Sequence, residues 1–340
     1  MAEVHGESLE WESAIGVDHA GLGPEDLRIS VEPQRLSHAL ELIGRLVDDL
    51  QSSRAALDEA AGDADVRGDT AHSLQRVVRF SRFTARRDAG LLDDLAQAVQ
   101  QLINVIHDVR GGNLDQLRTQ WGNAQAEFIA GAKAKSHPHP RRLLADLDAE
   151  LTEQYRPMFR KLHGRLPPER THFVAVDSRL DDELRQYKHA VRPLLEEFEQ
   201  SVKRVRHAER EVRAHLAWEP RERRRPEDAD QKAEQDPSGI SGPKVLRRLR
   251  KALDQGATVL EHAIPQLLPI ARSIDDGMLP EHGDDEHHDK REFKQEWEQH
   301  LQRRIKRMQF VSETSDTMAN ALAKLDAETA SQIFKDQDDD

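Results

Sequence analysis

Apolar residues recur along most of this chain at alternating steps of three and four. From Gln34 the series is Leu36, Leu40, Ile43, Val47 and Leu50. Such spacing predicts a helix with a narrow heptad seam, not a broad globular face. Gly62 and Gly68 bracket its end. A second helix is expected from about Asp69 to Val109, bent near Gly90 and carrying Leu92, Leu95, Val99, Leu102, Ile106 and Val109. Gly111-Gly112 should stop it. Leu114, Leu117, Trp121, Ala124 and Phe128 mark a third helix, which Ser136-His137-Pro138-His139-Pro140 breaks. A fourth carries Leu144, Leu147, Leu151, Tyr155, Met158 and Leu162 and closes at Gly164 and Pro167-Pro168.

The next long stripe runs Leu180, Leu184, Tyr187, Val191, Leu194, Phe198, Val202, Val205, Val212 and Leu216. Ser178-Arg179-Leu180-Asp181 has the Ser-x-x-Asp pattern of a helix cap, and Pro193 should kink the helix. The pattern resumes at Val245, Leu249, Leu253, Val259, Ala263, Leu267, Ile270 and Ile274, with Pro265 and Pro269 interrupting it. The last helix starts near Lys290 with Phe293, Trp297, Leu301, Ile305 and Met308, then Met318, Leu322, Leu325 and Ile333.

Two segments change period. Leu27-Arg28-Ile29-Ser30-Val31 alternates, and Thr171-His172-Phe173-Val174-Ala175-Val176 is strand-like. An unpaired strand leaves backbone groups unmatched, so these two are expected to pair. The fold class is therefore all-α: an elongated antiparallel helical bundle with coiled-coil-like packing and at most one small two-stranded β element.

The organisation follows from the gaps between stripes. Residues 1–26 read as a flexible acidic leader, and 27–218 as an N-terminal helical bundle. Residues 219–243 are rich in charge, Pro and Gly and read as a mobile linker. Residues 244–335 should supply long helices that pack on the bundle, and 336–340 form an acidic tail.

Composition narrows the chemistry. The 340 residues hold 33% charged, 37% hydrophobic and 4% aromatic side chains and no cysteine. Disulfides, thiolate nucleophiles and Cys-ligated metals are excluded. The first residues lack the apolar core of a signal peptide, and no apolar run approaches a membrane span. A cytoplasmic protein is expected. Of the 50 basic residues 37 are Arg, a bias that fits a GC-rich bacterial genome. The net charge of −13 argues against a surface that coats nucleic acid, though not against a local basic groove.

Four basic clusters stand out. Arg76, Arg79, Arg82 and Arg86 recur every three or four residues and share one helix face. Arg247, Arg248, Arg250 and Lys251 form a second cluster, Arg303, Arg304, Lys306 and Arg307 a third, and Lys203, Arg204, Arg206, Arg210 and Arg213 a fourth. Converging ridges would bind nucleic acid or polyphosphate, with Arg76, Arg79, Arg82, Arg86, Arg247 and Arg248 as the contacts. Dispersed ridges would be solvated faces paired with the abundant carboxylates.

Catalytic patterns fail by comparison. The loop from Glu281 to Asp289 is dense in His and acid but lacks fixed metal-ligand spacing. The Glu-x-x-His at Glu169–His172 has no second copy, as a di-iron bundle requires. Gly239-Ile240-Ser241-Gly242-Pro243-Lys244 lacks the spacing and hydroxyl of a P-loop. The reading is a non-enzymatic helical scaffold or adaptor acting through protein–protein contacts, within a larger bacterial assembly or by self-association. No cofactor and no metal are expected. The alternative is a helical module that binds a polyanion through the Arg ridges.

Overall fold

The computed structural model describes residues 22–62, 69–163, 178–216, 243–279 and 288–338. Among these it is all-α with no strand. Helix α1 is Pro33–Gly62, α2 Asp69–Asp108, α3 Asp115–Ala134, α4 Pro140–Thr152, α5 Arg156–His163, α6 Asp181–Leu216, α7 Pro243–Ala263, α8 Leu267–Gly277 and α9 His288–Asp338. Three exceed 30 residues: α2 with 40, α6 with 36 and α9 with 51. None is long and apolar enough to cross a membrane.

The chain divides into two compact units. Unit 1 comprises residues 1–33, 101–210 and 278–284, and unit 2 comprises 34–100, 211–277 and 285–340. Two of the boundaries fall well inside α2 and α6, so each of these helices contributes to both units. The leader (through 21), the second strand-like piece at 171–176, most of the 219–243 linker and most of the His-rich loop lie outside the described residues.

Unit 1 opens with the extended segment that follows a short 3-10 turn at Pro24–Asp26. Alternation holds there: Leu27, Ile29 and Val31 are all buried. The expected partner at 171–176 lies outside the described residues. Arginine side chains take the carbonyls of this segment. Arg118 Nε donates to Leu27 O at 3.0 Å, and Arg110 donates to Ile29 O at 2.8 Å and Val31 O at 2.5 Å. Backbone acceptors thus find donors without a sheet.

The expected stop at Gly111-Gly112 is also absent. Val109–Leu114 is a π-helical segment that links α2 to α3 without a break. A Cβ on Gly111 would meet nothing within 4 Å, so this glycine is not needed for space. The real break comes at Ser136, whose φ of 57° is left-handed. His137 N bonds to Ala132 O and Ser136 N to Lys133 O, the paired hydrogen bonds of a Schellman ending. Pro157 follows a 3-10 turn at Glu153–Tyr155, so the single fourth helix expected from the stripe is two, α4 and α5. Ser178–Leu180 forms a 3-10 turn ahead of α6, so Ser178 opens that turn instead of capping the α-helix. Pro193 lies inside α6, which continues on both sides. Phe159 stacks on Phe198 at 5.5 Å, and Leu117, Leu147 and Val191 are buried in the same unit.

In unit 2, α7 and α8 both pack on α9, with the Pro265-containing 3-10 turn Ile264–Gln266 between them. The stripes are wider than the seams read from sequence. On α1 the fully buried line is Leu36, Ala39, Ile43, Leu46 and Leu50, while Leu40 is only half-buried. Close approach is enforced at Gly277, where a Cβ would lie 2.6 Å from Leu36 Cγ and 3.2 Å from its backbone nitrogen. Phe293, Trp297, Leu301 and Met308 bury the first half of α9.

Candidate functional site

Three polar constellations are built by this packing. The first is in unit 2 and centres on Asp88, which sits on the apolar stripe Ala85, Asp88, Leu92, Leu95 of α2 and is fully buried. His300 Nε2 lies 2.8 Å from its Oδ2, and Arg304 donates to the same oxygen at 2.7 Å. Arg87 approaches Oδ1 at 3.4 Å. Burial by itself would raise the Asp88 pKa, but the His300 hydrogen bond and the Arg304, His300 and Arg87 charges hold it below the usual carboxylate value.

The second is in unit 1. Tyr187 donates its hydroxyl proton to Asp148 Oδ1, Trp121 Nε1 donates at 3.2 Å to the same oxygen, and Gln125 donates to Oδ2 at 2.9 Å. Among the described residues no cation bonds to this carboxylate. Burial pushes the Asp148 carboxyl up to about 6, against the three hydrogen bonds that favour its ionised form. Burial and the neighbouring carboxylate also push the Tyr187 phenol well up. The phenol stays protonated and acts as a donor. Both carboxylates are buried.

The third is a surface groove in unit 2 of about 840 Å³. Helix α1 contributes Ser52 and Ser53, α7 contributes Arg247, Arg250, Lys251 and Asp254, and α9 contributes Asp316. Helical spacing puts Arg247, Lys251 and Asp254 on one side of α7. Arg250 is held between two acids, at 2.5 Å from Asp316 Oδ1 and 3.6 Å from Asp254 Oδ2. Ser312 donates to Asp254 Oδ1 at 2.5 Å. Both carboxylates are therefore engaged, whereas Arg247 and Lys251 make no ion pair among the described residues.

The six arginines singled out in the sequence are distributed as follows. Arg247 lines the groove and the other five do not. Arg76, Arg79 and Arg86 are exposed on α2, and Arg82 pairs with Asp58 of α1. Arg248 is exposed on α7. The third cluster splits: Arg304 turns inward to Asp88, and Arg307 sits over the Phe80 ring at 5.3 Å. In the fourth, Lys203 pairs with Glu199, Arg204 with Asp108 and Arg206 with Glu209. No group of three or more His, Asp or Glu positioned for a metal occurs among the described residues.

Asp88, His300, Asp148 and Ser53 are absent from the sequence reading. Asp88 and Asp148 carried a legible signal, since each falls on a stripe whose other members are apolar. Ser53 carried none, because a serine on a helix face is ordinary. No known protein family matches this chain, and neither a curated protein nor a solved structure matches it.

Proposed function

We propose that the chain is a helical scaffold or adaptor of the bacterial cytoplasm that works through protein–protein contacts and not through catalysis. The observation that carries this is the second half of α9. The helix continues to Asp338, but the last buried side chain described on it is Ala319. Leu322 is half-buried and Leu325 is 56% exposed, and Phe310 on the same helix is 69% exposed. Met318, Leu322 and Leu325 keep the four-three spacing of a coiled-coil stripe, so a helix is the natural occupant. Residues 310–340 hold eight acidic and two basic residues. Two copies would repel each other along this stretch, and the partner should be an amphipathic helix with basic flanks.

The pairing of the ridges also supports this reading over the polyanion alternative. Arg82, Arg250 and Arg304 each satisfy a carboxylate of the same unit. Full-length protein with a photo-cross-linker at position 325 should give one saturable adduct in lysate of its own host. A synthetic peptide of the captured basic helix should then bind the wild type and not Leu325→Glu. An adduct that forms equally from an exposed position on α1, or a partner without such a helix, overturns the proposal.

A further inference from the structure

Three large apolar side chains are exposed among the described residues, and all three lie in unit 2. Phe310 and Leu325 are on the acidic second half of α9, whereas Phe83 is on α2. Arg79, Phe83 and Arg86 follow one another at steps of four and three and are all exposed. They lie on the side of α2 away from the buried Val78, Ser81, Ala85 and Asp88. Arg79 and Arg86 make no ion pair among the described residues. Residues 70–87 hold five arginines, one histidine and no carboxylate. This stretch of α2 is therefore an amphipathic helix with basic flanks, the kind of partner that α9 calls for.

The complement on α9 has the same spacing. Met318, Leu322 and Leu325 extend the line of the buried Met308, Val311 and Ser315 past the last buried side chain, Ala319. We propose that the partner of this stretch is a second copy of the chain, whose Arg79–Phe83–Arg86 face on α2 docks on the Leu322–Leu325 stripe of α9. The proposal rests on the reading of α9 as a docking face and names its occupant. The acids around the stripe repel a second α9 but attract the arginines of α2, and Phe83 supplies the aromatic anchor between them.

The contact does not form within one molecule. Arg307 of α9 sits over the Phe80 ring of α2 at 5.3 Å. Asp88 meets His300 and Arg304, so the two helices run antiparallel. Leu325 lies 18 residues beyond Arg307 on an unbroken helix, about 27 Å along its axis and in the direction away from Phe83. Each molecule therefore presents both faces to its neighbours. One helix laid on another is a small interface, and the association should be weak and salt-sensitive.

Sedimentation velocity of the purified full chain should show concentration-dependent association that weakens several-fold between about 0.05 M and about 0.5 M salt. Arg79→Glu/Arg86→Glu and Leu325→Glu should each weaken it at least about tenfold. Melting temperatures should be unchanged, since all three side chains are exposed. An equimolar mixture of the two variants should associate again, because each keeps the face that the other lacks. A photo-cross-linker at position 325 of the purified chain should attach to the peptide that contains Phe83. The proposal is overturned by a chain that stays monomeric up to about 0.3 mM, by association that survives the double α2 variant, or by a mixture that fails to recover, which marks a symmetric contact. It is also overturned if a short single-stranded oligonucleotide binds the α2 face of a chain that does not self-associate. A monomeric chain whose position 325 captures another basic helix from lysate refutes the second copy and leaves the docking reading of α9 intact. No adduct at 325 from either source refutes both.

Discussion

Removing the carboxylate of Asp88 would strand Arg304 in the interior of unit 2. Arg304 and His300 are both buried, and both rest on the same Asp88 oxygen. Breaking one partner of such a pair leaves an uncompensated charge, so Asp88→Asn should cost roughly 3–5 kcal/mol in denaturant unfolding. Replacing Asp88 and Arg304 together by Leu and Met should cost less than the single change. The Asp88 carboxyl is depressed, so its stabilisation is present above the ordinary aspartate range and is lost as pH falls through its folded pKa. Asp148 has the opposite sign. Its folded pKa is about 6, above the unfolded value, so the native state holds the proton more tightly. Its ionisation therefore weakens the fold as pH rises from about 4 to 6, by an amount on the order of 3 kcal/mol at pH 7. Asp148→Asn keeps an acceptor oxygen for Tyr187 and Trp121, and its amide NH2 donates to Gln125 once the Gln125 amide turns its oxygen inward. We expect it to be at least as stable as the wild type at pH 8 and to lose that part of the pH dependence. A variant clearly less stable at pH 8 would show that the ionised hydrogen bonds outweigh burial.

Two elements illustrate how local signals are overruled. Gly111-Gly112 reads as a helix stop, since glycine costs a helix about 1 kcal/mol relative to alanine. The structure keeps Val109–Leu114 helical through a π turn, with Gly111 exposed and unhindered. Gly111→Ala should then raise stability by about 0.5–1 kcal/mol, because it only restricts the unfolded chain. A stop with a left-handed glycine would give the opposite sign, and thermal unfolding distinguishes the two. The segment 27–31 shows the other case. Its period-2 burial was legible, but its hydrogen-bond partners came from side chains 79 to 91 positions away. Arg110→Met should release two buried carbonyls and lower stability by about 2–3 kcal/mol. Limited proteolysis within residues 22–32 should then become faster than in the wild type.

At the scale of the molecule, charge decides between the two functional readings. A net charge of −13 repels a long polyanion, and several ridge arginines are already paired with carboxylates. We expect no saturable binding of duplex DNA near 0.15 M salt. Binding whose log–log salt slope reached about −3 to −4 would mean that four arginines act together, and it would replace the scaffold reading.

The sequence alone determined the helical class, the long helices and most of the core. A three-four spacing of Leu, Val and Ile has one economical burial, the stripe of an amphipathic helix, and that rule is local. It also located the breaks that proline imposes at 138–140 and 265. Tertiary structure decided the rest. The width of the buried face on α1 depends on what packs there, which explains why Ala39 and Leu46 are buried and Leu40 is only half-buried. Arg110 and Arg118 could donate to the carbonyls of residues 27–31 only because the fold brings them there. The partners of Asp88 lie 212 and 216 positions along the chain, and the lining of the groove comes from three helices. Such contacts are long-range electrostatic and hydrogen-bonding choices among many polar residues of similar propensity, and no spacing along the chain encodes which carboxylate meets which cation.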